Sequence, residues 1–267
     1  MRRVTWIAAV LLTALKATAD DPAIPLTITS GFNADIVADG ASSAATSTST
    51  VLDLGYNVFY DSSYDASHGN HGGALPAGNT LMDSAGNQYS LAAATGNNAL
   101  ILGSGNSGTL NVSYADNAAL TGLLLLGTSA DGATIVDYTL NFAGGVTASG
   151  SFVFSDWYDP TASGTFTGFG RICIDDSFNS EQGRTFSLYA TTVAIPEADT
   201  TLRLESIVLS YDGANTGDFG ILPHAAIFGV SAFDPVITPV PEPTSSNLAI
   251  CGALALAASA LRRFFKN

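Results

Sequence analysis

The residues with the clearest chemical potential are an acid beside two aromatic residues, Asp156-Trp157-Tyr158, and a later basic residue, Arg171. Aromatic faces stack on the apolar faces of sugar rings, while carboxylates and guanidinium groups hydrogen-bond to hydroxyls. We therefore predict that Asp156, Trp157, Tyr158 and Arg171 form a glycan-binding pocket. In the alternative interpretation, Trp157 is a buried core residue and Arg171 pairs with a neighbouring aspartate.

Two other segments have residue types that bind metals. His68 and His71 are close in sequence, but a metal site needs three or four ligands, so a third would have to come from a distant residue such as His224. The alternative is a glycine-rich surface loop. Segment 212–218 has oxygen ligands spaced as in some calcium loops, but it lacks the alternating acids and the final Glu of an EF-hand. The alternative interpretation of this segment is a turn between strands. We predict no cofactor and no metal, with calcium as the one candidate ion.

Catalytic motifs are missing from the sequence. It contains no Gly-x-Ser-x-Gly elbow, no His-Glu-x-x-His and no phosphate-binding glycine loop. A carboxylate pair for glycoside hydrolysis needs one member in an apolar pocket, where its pKa is raised. Asp175 and Asp176 would point to opposite faces of a strand, which argues against their cooperation. We therefore predict a non-catalytic protein, with a secreted carbohydrate-active enzyme that uses a carboxylate pair as the alternative.

The charge is strongly asymmetric along the chain. All 23 acidic residues lie between Asp20 and Glu242, where the only basic residues are Arg171, Arg184 and Arg203, so this part has a formal net charge of −20. Nucleic-acid binding depends on Lys and Arg that neutralise phosphates, and anionic lipids attract the same residues. We therefore expect neither nucleic acids nor anionic membrane surfaces as partners, and neutral sugars, cations and cationic surfaces stay open.

Residues 20–238 have the length and patterning of one large all-β domain. Short β-branched and aromatic runs are separated by Gly, Asn, Asp and Ser, and no intervening loop predicts a long amphipathic helix. Many closely spaced strands with turn chemistry between them favour a two-sheet β-sandwich over a parallel α/β sheet. The predicted strands are 26–29, 49–54, 57–60, 80–82, 88–92, 99–102, 108–114, 123–126, 134–142, 147–154, 168–174, 186–195, 202–211 and 226–233.

The N-terminus is typical of a secretory signal peptide. Two arginines precede the apolar run 4–15, and Ala17-Thr18-Ala19 provides a small-residue cleavage site. We predict cleavage after Ala19, so that residues 1–19 are removed. The alternative, an N-terminal helix of the fold, does not explain why the apolar run stops abruptly before Asp20-Asp21-Pro22.

The C-terminal segment 239–267 has three parts. Pro241, Glu242 and Pro243 form an extended strap, because proline lacks the backbone N–H and restricts the residue before it. The uncharged run 244–261 is just long enough for a transmembrane helix. The basic residues after it, Arg262, Arg263 and Lys266, are expected to stay in the cytoplasm by the positive-inside rule.

This order of Pro-Glu-Pro, apolar helix and basic end resembles the PEP-CTERM sorting signal of Gram-negative bacteria. The resemblance implies recognition and cleavage by an exosortase-type membrane protease. It also implies export through the inner membrane, transient anchoring by the C-terminal helix, and a final location at the cell surface or in the extracellular matrix, often with exopolysaccharide. The alternative is a simple membrane anchor.

The body carries a second resemblance, to the galactose-binding-like β-sandwich modules of bacterial carbohydrate-active enzymes. The residues that carry it are Asp53-Leu54-Gly55, the stretch 125–132, a glycine-turn hairpin that ends in Ser155-Asp156-Trp157, the later Arg171, and the stretch 227–231. The resemblance implies a jelly-roll-like fold and sugar binding without catalysis. Together, the two resemblances predict an exported, non-catalytic surface or matrix protein that binds exopolysaccharide.

Overall fold

A computed structural model of the chain describes residues 22–76, 80–114, 119–178, 185–213 and 224–233. The predicted signal peptide, with Ala17 and Ala19, lies outside the described residues. So does the predicted sorting segment 239–267, which contains the Pro-Glu-Pro strap and the basic end. Within the described ranges, no helix combines the length and the apolar character needed to cross a membrane.

The described residues form β-strands and two short α-helices, which confirms the all-β prediction. The helices are α1 (Ala44–Ser47) and α2 (Ser62–His68). The strands, in chain order, are β1 (Ile24–Pro25), β2 (Thr27–Ser30), β3 (Val37–Ala38), β4 (Asn57–Tyr60), β5 (Thr80–Met82), β6 (Gln88–Ser90), β7 (Leu100–Leu102), β8 (Asn106–Ser113), β9 (Gly122–Ala130), β10 (Thr134–Phe142), β11 (Thr147–Phe154), β12 (Phe166–Phe169), β13 (Ile172–Cys173), β14 (Phe186–Ala194), β15 (Leu204–Tyr211) and β16 (His224–Phe233).

Most strands belong to two antiparallel sheets. Sheet I has the order β1-β16-β9-β14-β12, with β7 also paired to β16, and sheet II has the order β11-β10-β15-β8-β2. The chain passes repeatedly between the two sheets, because β9, β14 and β16 belong to sheet I whereas β10, β11 and β15 belong to sheet II. Two smaller sheets, β13-β4-β3 and β5-β6, complete the described strands.

Sheets I and II enclose an apolar core between them. In β10, Val136 and Leu140 are buried whereas Asp137 is exposed, as expected for a strand with one face on the core. The core residues are Leu110, Val136, Leu140, Phe152, Ile207 and Leu209 from sheet II, and Leu123, Leu125, Tyr189, Ala225, Ile227 and Val230 from sheet I. Burial of each large side chain stabilises the fold by about 1.5–3 kcal/mol.

Sheet I is also covered on its other face, which the prediction of a single two-sheet sandwich did not include. Every residue of β9 is buried. A second apolar core lies on this face and includes Val58, Phe59, Tyr64, Tyr89 and Trp157, together with Leu124, Leu126, Leu188, Ala226 and Phe228 of sheet I. The described body therefore has three layers, with sheet I in the middle.

The β10–β11 hairpin has the predicted bounds. Its register runs without interruption from Thr134 opposite Phe154 to Asn141 opposite Thr147. The turn Ala143–Gly145 contains two glycines with positive φ, which is the backbone conformation that favours glycine. This hairpin leads directly into the predicted glycan-binding residues.

Two predicted strands are not single strands in the structure, and others differ from it only in their bounds. Segment 49–54 is not a strand, because the Asp53 side chain accepts the backbone N–H of Asn57 at 2.9 Å and the chain turns at Tyr56, which has a φ of 59°. Segment 168–174 is two short strands rather than one. Gly168 has positive φ, and the chain leaves β14, the partner of β12, to pair with β4 through β13.

Candidate functional site

A cleft of about 510 Å³ lies beside the end of β9, and the structure places all four predicted glycan-binding residues along it. We call it the Asp156 cleft. Its lining residues are Asp53, Asp131, Gly132, Ala133, Asp156, Trp157, Tyr158, Asp159, Pro160 and Arg171. They come from four places: the loop before β4, the β9–β10 turn, the segment after β11 and the residue before β13. Residues far apart in sequence therefore form one concave surface.

Asp156 holds the rim of the cleft together. After β11 the chain crosses to sheet I, where the Trp157 N–H donates to the Ser129 carbonyl at 2.6 Å. One carboxylate oxygen of Asp156 then accepts the Gly132 N–H at 2.6 Å, and the other accepts the Tyr158 N–H at 2.8 Å. Since both oxygens accept backbone N–H groups, Asp156 fixes the β9–β10 turn against the segment that carries the aromatic residues.

Arg171 supplies the positive charge of the cleft. Its Nη1 lies 2.9 Å from Oδ2 of Asp53, and the two side chains are 13% and 6% exposed. Asp53 also accepts from the Asn57 side chain, which orients the carboxylate. The guanidinium lies over the Phe186 ring, 4.7 Å from its centroid, where it is attracted to the negative face of the ring. Arg171 is thus held in place by an ion pair and an aromatic ring.

Trp157 lies in the floor of the cleft rather than on its surface. Its side chain is 2% exposed, and its ring centroid is 5.1 Å from that of Phe59 and 4.7 Å from that of Phe186. These contacts agree with the alternative interpretation, in which Trp157 is a core residue and Arg171 pairs with an aspartate. Tyr158 is only partly buried, so it supplies the accessible aromatic surface of the cleft.

Asp131 is the unusual acid of the cleft. It lies in the β9–β10 turn with a φ of 62°, and its Oδ2 accepts the Leu54 N–H at 3.2 Å. Burial raises the pKa of the Asp131 carboxyl, and the negative charges of Asp53 and Asp156 raise it further. A carboxyl with a raised pKa therefore shares one cleft with other acids.

Sequence analysis missed Asp53, Asp131 and Asp159 as site residues. Asp131 had a usable signal, since an Asp-Gly pair directly after a strand is a turn signature at the edge of a sheet. Asp53 was assigned to a strand that does not exist. Asp159 caps its own turn by accepting from the hydroxyl and the N–H of Thr161, and these hydrogen bonds lower the pKa of the carboxyl.

The histidine loop has a structural environment of its own. His68 ends α2, and its ring stacks on that of Tyr64 with 3.9 Å between the ring centroids. The His71 ring stacks on that of Phe178 with 3.5 Å between the centroids. The Asp65 carboxylate accepts the backbone N–H of His71 at 2.6 Å. These contacts explain the fold of the loop, which packs as an aromatic cluster against the third layer.

Within the part of the chain that the structure describes, no group of three or more His, Cys, Asp or Glu residues is arranged to hold a metal ion. The candidate calcium segment 212–218 falls mostly outside the described residues, so it stays a prediction. Asp175 and Asp176, whose cooperation was doubted, bind different partners. Asp175 accepts from Ser177, and Asp176 accepts from the Tyr64 hydroxyl at 2.6 Å.

The chain matches no protein-family model, and no curated protein matches its sequence.

Proposed function

We propose that the chain is an exported, non-catalytic surface or matrix protein whose jelly-roll-like body binds a neutral polysaccharide in the Asp156 cleft. The observation that carries the proposal is the set of groups along that cleft: a largely buried guanidinium, several carboxylates and a partly exposed tyrosine around a volume of about 510 Å³. This volume lies within the usual range for small-ligand sites. It suits one or two sugar rings of a longer chain.

The chemistry of the cleft favours an uncharged ligand with many hydroxyls. Carboxylates accept hydrogen bonds from hydroxyls, the guanidinium donates to them, and the Tyr158 ring offers an apolar face for stacking. The acids outnumber Arg171, the one basic lining residue, so an anionic polymer would be repelled. The net charge of −20 between Asp20 and Glu242 acts in the same direction.

The proposed location rests on the sequence of the two ends. The N-terminal segment with Ala17 and Ala19 directs export, and an exosortase-type protease processes the strap of Pro241, Glu242 and Pro243. The apolar run 244–261 and the basic end anchor the chain until then. Alanine replacement of the three strap residues should leave the chain in the membrane fraction. Unchanged processing and location would show that the strap is not a sorting signal.

Binding is tested with the full chain on an array of neutral and acidic glycans, followed by titration calorimetry of the best ligand. Tyr158→Ala and Asp131→Asn should each weaken binding by roughly tenfold or more, since they remove a stacking face and a hydroxyl acceptor. Asp137→Asn is the matched control, because it removes one exposed carboxylate from the outer face of sheet II. Equal effects of Asp131→Asn and Asp137→Asn, or preference for acidic glycans, would contradict the proposal.

Asp131 also supports a second candidate, a secreted carbohydrate-active enzyme. The raised pKa of its carboxyl suits a general acid, and Asp53 and Asp156 lie close enough to influence it. Such an enzyme would release reducing ends from a polysaccharide, and Asp131→Asn would abolish the release while Asp137→Asn would not. Binding without release favours the first candidate.

A further inference from the structure

The two large sheets expose edges of very different character. Among the described strands, β1 contains Pro25, β12 has a register break between Phe166 and Phe169, and β2 has one between Ile28 and Ser30. Proline, short length and irregular register are the usual devices that prevent edge-to-edge pairing. The edge strand β7, which pairs with β16, is only three residues long. By contrast, β11 is eight residues long and has neither proline nor charge, and it pairs with β10 in unbroken register.

The free side of β11 can be identified from its hydrogen-bond phase. The Phe142 N–H donates to the Val146 carbonyl at 2.9 Å, so these two residues form a hydrogen-bonded pair. Such pairs alternate along an antiparallel ladder, so the even-numbered residues of β11 bond to β10. The N–H and C=O groups of Thr147, Ser149, Ser151 and Val153 therefore point away from β10.

The surface around this edge carries little charge. The outward side chains of β11 and β10 meet in cross-strand pairs, such as Ser149 with Thr139, whose hydroxyls are 3.0 Å apart. Val153 is 53% exposed and Ile135 is 38% exposed, and they form an apolar pair at the end of the hairpin. Asp137 is the only charged residue in these two strands. Because residues 20–238 contain 22 acids and three arginines, most of their surface should repel a second copy, whereas this edge carries no charge of its own.

We propose that β11 pairs antiparallel with β11 of a second copy of the chain and joins the two five-stranded sheets into one. An antiparallel pair of identical strands is two-fold symmetric, so the contact closes on itself. One register pairs all four free edge residues. It places Ser149 opposite Ser151 of the second copy, and Thr147 opposite Val153 of the second copy, with the axis at Gly150. Side chains at these positions are small or apolar, so the strands approach without a like-charge contact.

The association is measured on the full chain in mild detergent by sedimentation over a wide range of protein concentrations. Ser149→Glu/Ser151→Glu should weaken it by roughly tenfold or more, because four carboxylates would meet across the two-fold axis. Thr27→Glu/Thr29→Glu is the matched control, since it adds the same charges to exposed positions of β2 at the opposite edge of sheet II. A monomer at every concentration, or equal weakening by both double variants, would overturn the proposal.

The register is tested by disulfide formation in a chain whose own cysteines, Cys173 and Cys251, are replaced by serine. A mixture of Ser149→Cys and Ser151→Cys chains should form a cross-linked dimer more readily than either variant alone, because only the mixed pair lies directly opposite. This register would be refuted if either variant alone cross-linked as readily as the mixture. If the edge instead joins a strand of a different protein, neither the mixture nor the single variants will cross-link.

Discussion

Arg171 and Asp53 form a nearly buried ion pair on which the shape of the cleft depends. Arg171→Met should lower the free energy of unfolding by about 3–5 kcal/mol, because it leaves the Asp53 carboxylate buried without its cation. Chemical denaturation measures the loss. Adding Asp53→Asn to Arg171→Met should recover part of it, since the double variant no longer buries an unpaired charge. Strictly additive losses would mean that the two side chains do not interact.

Asp35 makes stability depend on pH. Burial raises the pKa of its carboxyl from 3.8 to about 6. The hydrogen bond from Asn98, at 2.6 Å, lowers the pKa but does not offset the effect of burial. Because the pKa is raised in the folded state, this group contributes its full stabilisation below pH 3.8 and loses it as the pH rises through about 6.

Asp35→Asn should therefore raise the free energy of unfolding near neutral pH by about 1–2 kcal/mol, after solvent screening of a partly exposed group is allowed for. The gain should disappear at about pH 3, where a wild-type carboxyl with an ordinary pKa of 3.8 is largely protonated in the unfolded state as well as in the folded state. Denaturation curves at the two pH values measure the difference. Asp137→Asn controls for the loss of one negative charge. A gain of the same size at both pH values would be inconsistent with a buried carboxyl at position 35.

Some of the individual residues along the cleft were predicted from the sequence. Asp156, Tyr158 and Arg171 were identified from residue types that suit sugars, and the structure brings them together. The sequence left open whether Trp157 faces the cleft or the core, because a tryptophan at the end of a strand suits both. The Asp131-Gly132 pair marks a turn in the sequence, but the raised pKa of the Asp131 carboxyl comes from burial and from Asp53 and Asp156, which only the fold brings near it.

At the scale of elements, Gly127 shows how closely β9 approaches its neighbours. A Cβ at this position would lie 2.5 Å from Cζ of Phe154 and 2.6 Å from the Ala226 carbonyl oxygen. Gly127→Ala should therefore destabilise the protein by about 2–3 kcal/mol, because backbone and a core ring would both have to move. Thermal unfolding measures the change. Gly96→Ala, where no atom lies within 4 Å, should be nearly neutral. Similar midpoints for the two variants would contradict this packing.

Elements with strong local signals were predictable. The β10–β11 hairpin combines alternating side chains with a glycine turn, and its bounds were predicted correctly. Segment 49–54 misled the prediction, because its apolar residues resemble a strand while the Asp53 side chain captures a backbone N–H and forms a turn. The run 123–126 lacks alternation because β9 is buried on both faces, a pattern that indicated the third layer but was not used.

At the scale of the whole molecule, repulsion among acids should limit stability. Between Asp20 and Glu242 the net charge is −20, and in the described ranges one ion pair, that of Arg171 and Asp53, is present. Raising sodium chloride from ~10 mM to ~300 mM shortens the screening length from about 30 Å to about 6 Å. The midpoint of thermal unfolding should rise by about 3–5 °C. Asp137→Asn/Glu205→Gln should show a smaller rise, and a midpoint that falls with salt would contradict the expectation.

The overall architecture was only partly accessible from the sequence. The all-β class follows from short strands and turn residues, which act locally. The order of strands in each sheet depends on pairings between distant segments, such as β2 with β8, and local patterns do not encode those pairings. The third layer consists largely of loops and two-residue strands such as β3 and β13, which are too short to show any periodicity.

The pairing of β1 with β16 places Ile24 opposite Ala232, so the described part of the chain starts and finishes at adjacent positions in sheet I. A short glycine linker from residue 233 to residue 22 would therefore close the body into a ring without moving a strand. Such a ring could be opened at the Ala143–Gly145 turn, where a Cβ at Gly144 or Gly145 would meet nothing within 4 Å. The resulting circular permutant would keep every sheet, but its synthesis would begin with the segment after this turn and end with the segment before it.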